Sequence, residues 1–114
     1  MKKVIAVILF SLLIPCWAGA GTLSIAYPDF YPFFTKTEDG RITGFFYDIV
    51  VEALDRRMSL PTKWHQMPWK RCQEQVRPGN FDAMITVPTD ARAEYTLTHL
   101  DPFYLKKMKL FTYT

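Results

Sequence analysis

The sequence contains little cysteine and no long hydrophobic run after its first twenty residues. Of the two cysteines, Cys16 lies inside that first segment and Cys72 follows it. If the first segment is removed, Cys72 is the one thiol that remains. A single thiol cannot form a disulfide within the chain, so a disulfide framework is excluded. We therefore expect Cys72 to be a buried apolar residue. No later apolar segment reaches the roughly 20 residues that a membrane-spanning helix needs.

Motifs typical of catalysis and of metal binding are also missing. His65 and His99 lack the spacing of metal ligands, both to each other and to Cys72, and the nucleophile motif G-x-S-x-G is absent. There are 14 basic against 11 acidic side chains, and without Lys2 and Lys3 the excess is one. Nucleic-acid binders cluster positive charge. We expect no enzyme, no cofactor, no metal and no nucleic-acid partner.

The first twenty residues predict a cleavable secretory signal peptide. Lys2 and Lys3 supply a positive start, residues 4–14 are uncharged and apolar, and residues 18–21 are all small. The apolar stretch of about ten residues is too short to cross a bilayer. An uncleaved anchor remains an alternative.

Lipidation at Cys16 is a second alternative, although Pro15 stands where a small residue is usual. On the signal interpretation, residues 1–20 are removed and residues 21–114 form one small domain. The working protein is then expected outside the cytoplasm, in the periplasm.

After residue 20 the sequence alternates between strand and helix patterns. Strands are predicted at residues 22–27, 62–67 and 81–87, and helices at residues 46–58 and between Pro68 and Pro78. This order predicts an α/β fold of the βαβαβ type with a parallel sheet. Since the third run is almost entirely apolar, we expect a strand buried on both faces.

Ligands of open parallel sheets bind beyond the carboxyl ends of the strands. Those ends lie at residues 27–34, 67–69 and 86–92, so the topology brings an aromatic loop, a tryptophan and an arginine to one edge. Three lysines follow near the end of the chain, and we expect them on a solvated strand edge. These are Lys106, Lys107 and Lys109.

Five short segments occur in an order that resembles a known family. They are Phe-Tyr-Pro-Phe at 30–33, the run beginning Asp-Gly at 39–49, Gly-Asn-Phe-Asp-Ala-Met-Ile at 79–85, Thr-Asp-Ala-Arg at 89–92 and Asp-Pro-Phe-Tyr at 101–104. The chain resembles the N-terminal part of the family 3 periplasmic solute-binding proteins. These are the polar amino-acid receptors of ABC importers.

The resemblance implies the first lobe of a type II periplasmic-binding clamshell, apparently truncated, that captures a small polar ligand such as an amino acid for an ABC permease. It implies that Phe30 stacks on the ligand and that Thr86 and Arg92 bind its carboxylate. Trp69 is expected in the pocket wall, and Tyr27 is a weaker candidate beside it. An arginine suits this role because its planar fork grips a carboxylate at two points.

Other interpretations stay open from the sequence. Arg92 could be a surface arginine beside Glu94, and Trp69 could pack only against the helix start. The domain could sense a ligand for an extracytoplasmic signalling protein, or be a non-functional truncated paralogue. Half a clamshell is expected to bind weakly, since good pockets bury roughly 70–90% of a ligand.

Overall fold

The structure is a computed structural model that describes residues 21–99 and 101–113. The predicted signal peptide at residues 1–20 lies outside the described residues and stays a prediction. In chain order the elements are β1 (Leu23–Tyr27), β2 (Thr35–Lys36), β3 (Ile42–Thr43), α1 (Phe45–Val51) with a π-helical continuation (Glu52–Arg57), β4 (Thr62–Gln66), α2 (Trp69–Val76), β5 (Ala83–Met84) and α3 (Asp90–Ala93).

Strands β4, β1 and β5 form a parallel sheet in that order. Ile25 on the central strand pairs with Trp64 on one side and with Ala83 on the other. Because β1 has a neighbour on each side, its residues Ile25, Ala26 and Tyr27 are at most 2% exposed. The predicted α/β order with a parallel sheet is confirmed. The separate strands β2 and β3 pair antiparallel as a small hairpin.

The start of α1 is fixed against the aromatic loop that follows β1. Gly44, immediately before α1, has a φ of 128°, and a Cβ at this position would overlap the backbone of Phe33. Only glycine permits both this φ and this approach. The Phe46 N–H donates to the Phe33 carbonyl oxygen at 3.0 Å. The loop and the helix are therefore held together by backbone as well as by side chains.

Helix α2 covers one face of the sheet. Cys72 is fully buried and Val76 nearly so, and both pack with Ala26 of β1. This confirms the predicted apolar face of the helix and the predicted burial of Cys72. The pKa of the Cys72 thiol is raised by burial, which disfavours the thiolate.

The other face of the sheet carries an aromatic core. Tyr27, Phe33 and Phe34 are its buried members, and half-buried rings of α1 and β4 pack against them. The Tyr27 ring lies edge-on to Phe34 and to Trp64, with centroid distances of 5.7 Å in both pairs. Edge-to-face contacts of this kind suit the charge distribution of aromatic rings.

The third strand is shorter and less buried than predicted. The sequence predicts residues 81–87 as a strand buried on both faces, whereas β5 contains only Ala83 and Met84, both half-buried. Within the described chain β5 pairs with β1 alone, so one edge is open. The Asp82 carboxylate accepts bonds from the Ser24 N–H at 2.8 Å and hydroxyl at 2.7 Å, which anchors the strand's start. Beyond it, Pro88 has no N–H to pair.

The end of the chain also differs from the prediction. Residues 97–99 and 101–113 contain no helix or strand, so the predicted strand edge for the three lysines is wrong, although they are exposed. This segment returns to the aromatic core: the Tyr104 ring lies 5.6 Å from Phe33, and Phe103 lies 5.1 Å from Phe46. None of the helices in the described ranges has the length and apolarity to span a membrane.

Candidate functional site

A cavity of about 1430 Å³ opens at the carboxyl ends of the sheet strands. Its wall includes four of the five residues singled out in the sequence: Phe30, Trp69, Thr86 and Arg92. They come from four separate places in the chain, namely the loop after β1, the start of α2, the segment after β5 and helix α3. The parallel topology gathers these side chains at one edge, as expected for this class of sheet.

Arg92 is held in the cavity wall by three contacts. Its backbone N–H donates to the Thr89 hydroxyl at 3.3 Å, which caps the start of α3. Its Nη1 donates to the Val87 carbonyl oxygen at 2.7 Å. Its guanidinium carbon lies 5.1 Å from the centroid of the Trp69 ring, a cation–π distance. Arg92 is thus half-buried and oriented by its own loop, and no ion pair with Glu94 forms.

One donor of this guanidinium has no partner. The Arg92 Nε is buried and makes no hydrogen bond among the described residues. A buried donor without a partner costs roughly 1–3 kcal/mol. Since Nη1 donates to the Val87 carbonyl oxygen, a two-point pair with a carboxylate would use the side of the fork formed by Nε and Nη2. Neighbouring atoms shield Nε, so a ligand must displace what covers it.

Trp69 has two roles in the wall. It packs against the core cluster of Ala26, Cys72 and Val76, and its ring also supports Arg92. Both alternatives considered from the sequence, packing at the helix start and a place in the pocket wall, therefore describe its position. Helix α2 begins at Trp69, directly after Pro68, which places the ring at the carboxyl-end edge of the sheet.

Phe30 presents an aromatic ring to the cavity. The ring stacks on Phe33 with a centroid distance of 4.8 Å and an angle of 23° between the planes. The Phe30 backbone carbonyl accepts from the N–H groups of Phe33 at 2.8 Å and Phe34 at 3.0 Å, which closes a tight loop. Phe33 and Phe34 are buried, whereas Phe30 is 46% exposed. Of the three rings of this loop that line the cavity, Phe30 therefore offers the most surface to a ligand.

Thr86 and Tyr27 occupy different surroundings. Thr86 follows β5, is exposed and lines the cavity. Tyr27 does not line it: its side chain is 1% exposed and packs in the aromatic core. Burial, assisted by Asp29 and then Tyr47, raises the pKa of the Tyr27 hydroxyl. The structure thus does not bring Tyr27 together with the other four residues, and a ligand contact there stays a prediction.

The end of the chain contributes to the cavity, which was not predicted from the sequence. Phe103, Tyr104 and Lys106 line it, and the Lys106 ammonium lies 5.5 Å from the Phe30 ring centroid. The signal available was the aromatic pair at 103–104, which must pack somewhere in so small a domain. It gave no indication of which surface the pair would cover.

A second, smaller cavity of about 510 Å³ shares only Phe81 with the larger one. It contains none of the predicted site residues and is lined by Lys36, Trp64, His65, Gln66, Met67, Arg71, Gln75 and Phe81. Within residues 21–99 and 101–113, no group of three or more His, Cys, Asp or Glu side chains could hold a metal ion. The larger cavity is therefore the candidate site.

Several solved structures share this fold. An ancestral arginine-binding protein bound to arginine matches with a TM-score of 0.58 and 24% identity over 66% of this chain and 34% of its own. An ancestral cationic amino-acid solute-binding protein, AncCDT-1, matches with a TM-score of 0.56 and 26% identity over 65% and 33%. A further structure of AncCDT-1 is described as a precursor of cyclohexadienyl dehydratase.

The second substrate-binding domain of GlnP from Lactococcus lactis, in an open conformation, matches with a TM-score of 0.57 and 26% identity over 64% of this chain and 32% of its own. The chain thus spans about a third of the length of the structures it matches. No curated protein matches it in sequence.

The architecture is that of part of a type II periplasmic-binding fold, as the resemblance implied. The sequence profile of the bacterial extracellular solute-binding proteins, family 3, matches residues 23–113, which is nearly all of the chain after the predicted signal. The chain belongs to the bacterial extracellular solute-binding proteins, family 3.

Proposed function

We propose that this chain binds a small polar ligand, an amino acid, in the cavity at the carboxyl ends of its strands and serves an ABC importer outside the cytoplasm. The observation that carries the proposal is the position of Arg92. Its guanidinium lies in the wall of the cavity that Phe30 also lines, with one buried donor left unpaired.

Arg92 is the proposed carboxylate partner. A charge-assisted, two-point pair is roughly twice as strong as a neutral hydrogen bond. Val87 and Trp69 fix the orientation of the guanidinium before a ligand arrives, so little side-chain freedom is lost on binding. Thr86, exposed at the end of β5, is the proposed second donor, because a hydroxyl can bond a carboxylate oxygen.

Phe30 is the proposed partner for the other end of an amino acid. The face of an aromatic ring attracts an ammonium by about 0.5–2 kcal/mol, depending on how far water is excluded. The ring is held by its stacking on Phe33, so it offers a fixed surface. A zwitterion brings both charged groups that these two positions require.

The expected affinity is low for the described chain alone. The cavity of about 1430 Å³ exceeds the roughly 300–1,000 Å³ of well-formed ligand sites. A small ligand would therefore be incompletely covered, and we expect a dissociation constant of the order of 0.1–1 mM. A solved relative at 26% identity, AncCDT-1, is a cationic amino-acid solute-binding protein, which supports an amino acid as the class of ligand.

Calorimetric titration of the purified protein with each of the common amino acids tests the proposal. We expect a binding heat for at least one amino acid, and this heat should reach saturation at millimolar ligand concentrations. A protein with a folded circular dichroism spectrum that gives no heat with any amino acid, and no chemical-shift change on addition of 10 mM ligand (about ten times the weakest expected constant), would contradict it.

A further inference from the structure

The aromatic surface proposed to receive a ligand ammonium already has an ammonium of the protein over it. The Lys106 Nζ lies 5.5 Å from the Phe30 ring centroid and 5.8 Å from that of Phe33. These are cation–π distances. Lys106, Phe30 and Phe33 all line the same cavity, so the contact is made on the side from which a ligand would approach.

The charge of Lys106 is not neutralised locally. Within the described ranges no carboxylate forms an ion pair with it; the ion pairs there are formed by Arg41, Arg56, Arg57 and Lys70. Six charged side chains line the cavity, namely Asp29, Arg77, Asp82, Arg92, Asp101 and Lys106. Of its cations, Lys106 is the one that lies over the Phe30 and Phe33 rings. Every amino acid brings an ammonium to this surface, so the difference between ligands lies in their side chains: a second positive group is repelled by Lys106, whereas a second negative group can pair with it.

We propose that Lys106 determines the specificity of the cavity by the charge of the ligand: it disfavours cationic amino acids and favours those with a second anionic group, such as acidic amino acids. This inference rests on the proposed function, because it assumes that the ligand carboxylate takes Arg92. It goes further by assigning a ligand class and the residue that selects it.

Lys106→Met tests the inference, because it keeps an unbranched side chain of similar length and removes the charge. Lys107→Met is the matched control: Lys107 is the next residue, is also exposed, and does not line the cavity. Lys106→Arg keeps the charge. The three variants and the parent protein are titrated calorimetrically with glutamate, glutamine and arginine at one ionic strength, after circular dichroism has established that each is folded.

We expect the ratio of the arginine affinity to the glutamate affinity to rise between about twofold and thirtyfold in Lys106→Met, the range that a cation–π contact supports. The ratio should stay within about twofold of the parent in Lys107→Met and Lys106→Arg. An unchanged ratio in Lys106→Met, or an equal rise in Lys107→Met, would overturn the inference while leaving the proposed function in place. If neither the parent nor Lys106→Met binds any amino acid, both the inference and the proposed function are overturned.

Discussion

The guanidinium carbon of Arg92 lies 5.1 Å from the centroid of the Trp69 ring, and this pair joins helix α3 to the first residue of α2. The contact links the hydrophobic core to the cavity, since the same indole packs on Ala26, Cys72 and Val76. A change at Trp69 is therefore expected to act on the site through Arg92.

A double-mutant cycle measures this coupling. We expect Trp69→Leu and Arg92→Lys each to weaken amino-acid binding, and the double variant to lose less than the two single losses combined, by about 0.5–2 kcal/mol. Calorimetric affinities for all four proteins give the coupling energy. Strictly additive losses would mean that the indole does not position the guanidinium.

The Ser24–Asp82 pair predicts a pH dependence of stability. Hydrogen bonds from the Ser24 N–H, and then from its hydroxyl, lower the pKa of Asp82 below its usual 3.8. A lowered pKa in the folded state means that the stabilisation is complete above the unfolded value and is lost as the pH falls through the folded value. Urea unfolding midpoints between pH 7 and pH 3 should therefore decline at the acid end.

Asp82→Asn should be less stable at pH 7 and should show a smaller decline towards acid pH. The control is Asp48→Asn, which removes an equal charge from an exposed position on α1. Parallel acid declines in the parent and Asp82→Asn would show that this carboxylate does not contribute the predicted linkage.

The position of Gly44 is not expected to tolerate a side chain. Gly44→Ala combines a φ of 128° with overlap on the Phe33 backbone, and we expect a loss of about 2–4 kcal/mol in the free energy of unfolding. Gly79→Ala is the control, because Gly79 has a φ of 85° but open space around its Cβ position. We expect it to lose only about 1–2 kcal/mol, and equal losses would contradict the steric account.

The thiol of Cys72 is expected to be unreactive in the folded protein. It is fully buried, and burial raises its pKa, so the thiolate that reacts with Ellman's reagent is scarce and inaccessible. In a Cys16→Ser background, labelling at pH 8 should be slow without denaturant and fast in urea. Labelling at the same rate in both conditions would show that α2 does not cover the sheet as described.

Elements with a strong local pattern could be predicted from the sequence. The alternation of apolar and polar residues in β1 and the one-sided apolar face of α2 were sufficient to predict these two elements, because each pattern depends on neighbours a few residues away. The length of β5 could not be predicted: it depends on where the chain leaves β1, which an apolar run does not encode. The same limit applies to burial. The apolar run over residues 81–87 predicts a strand buried on both faces, whereas β5 has a partner strand on one side only in the described chain.

The candidate site shows the same division. Phe30, Trp69, Thr86 and Arg92 were predictable because they follow strand ends and match segments that resemble the family. The burial of Tyr27 could not be predicted, because the last residue of a strand can face either side and its inward direction depends on the aromatic core around it. Lys106 was missed because its position depends on Phe103 and Tyr104 packing against α1 from far along the chain.

Replacement of Arg92 by alanine tests the central claim most directly. The affinity of Arg92→Ala for the amino acid that the parent binds best should be compared with that of Arg71→Ala, an exposed arginine outside the larger cavity. We expect Arg92→Ala to lose about 2–5 kcal/mol of binding free energy, which abolishes detectable heat, and Arg71→Ala to bind as the parent does. Unchanged binding by folded Arg92→Ala would contradict the account.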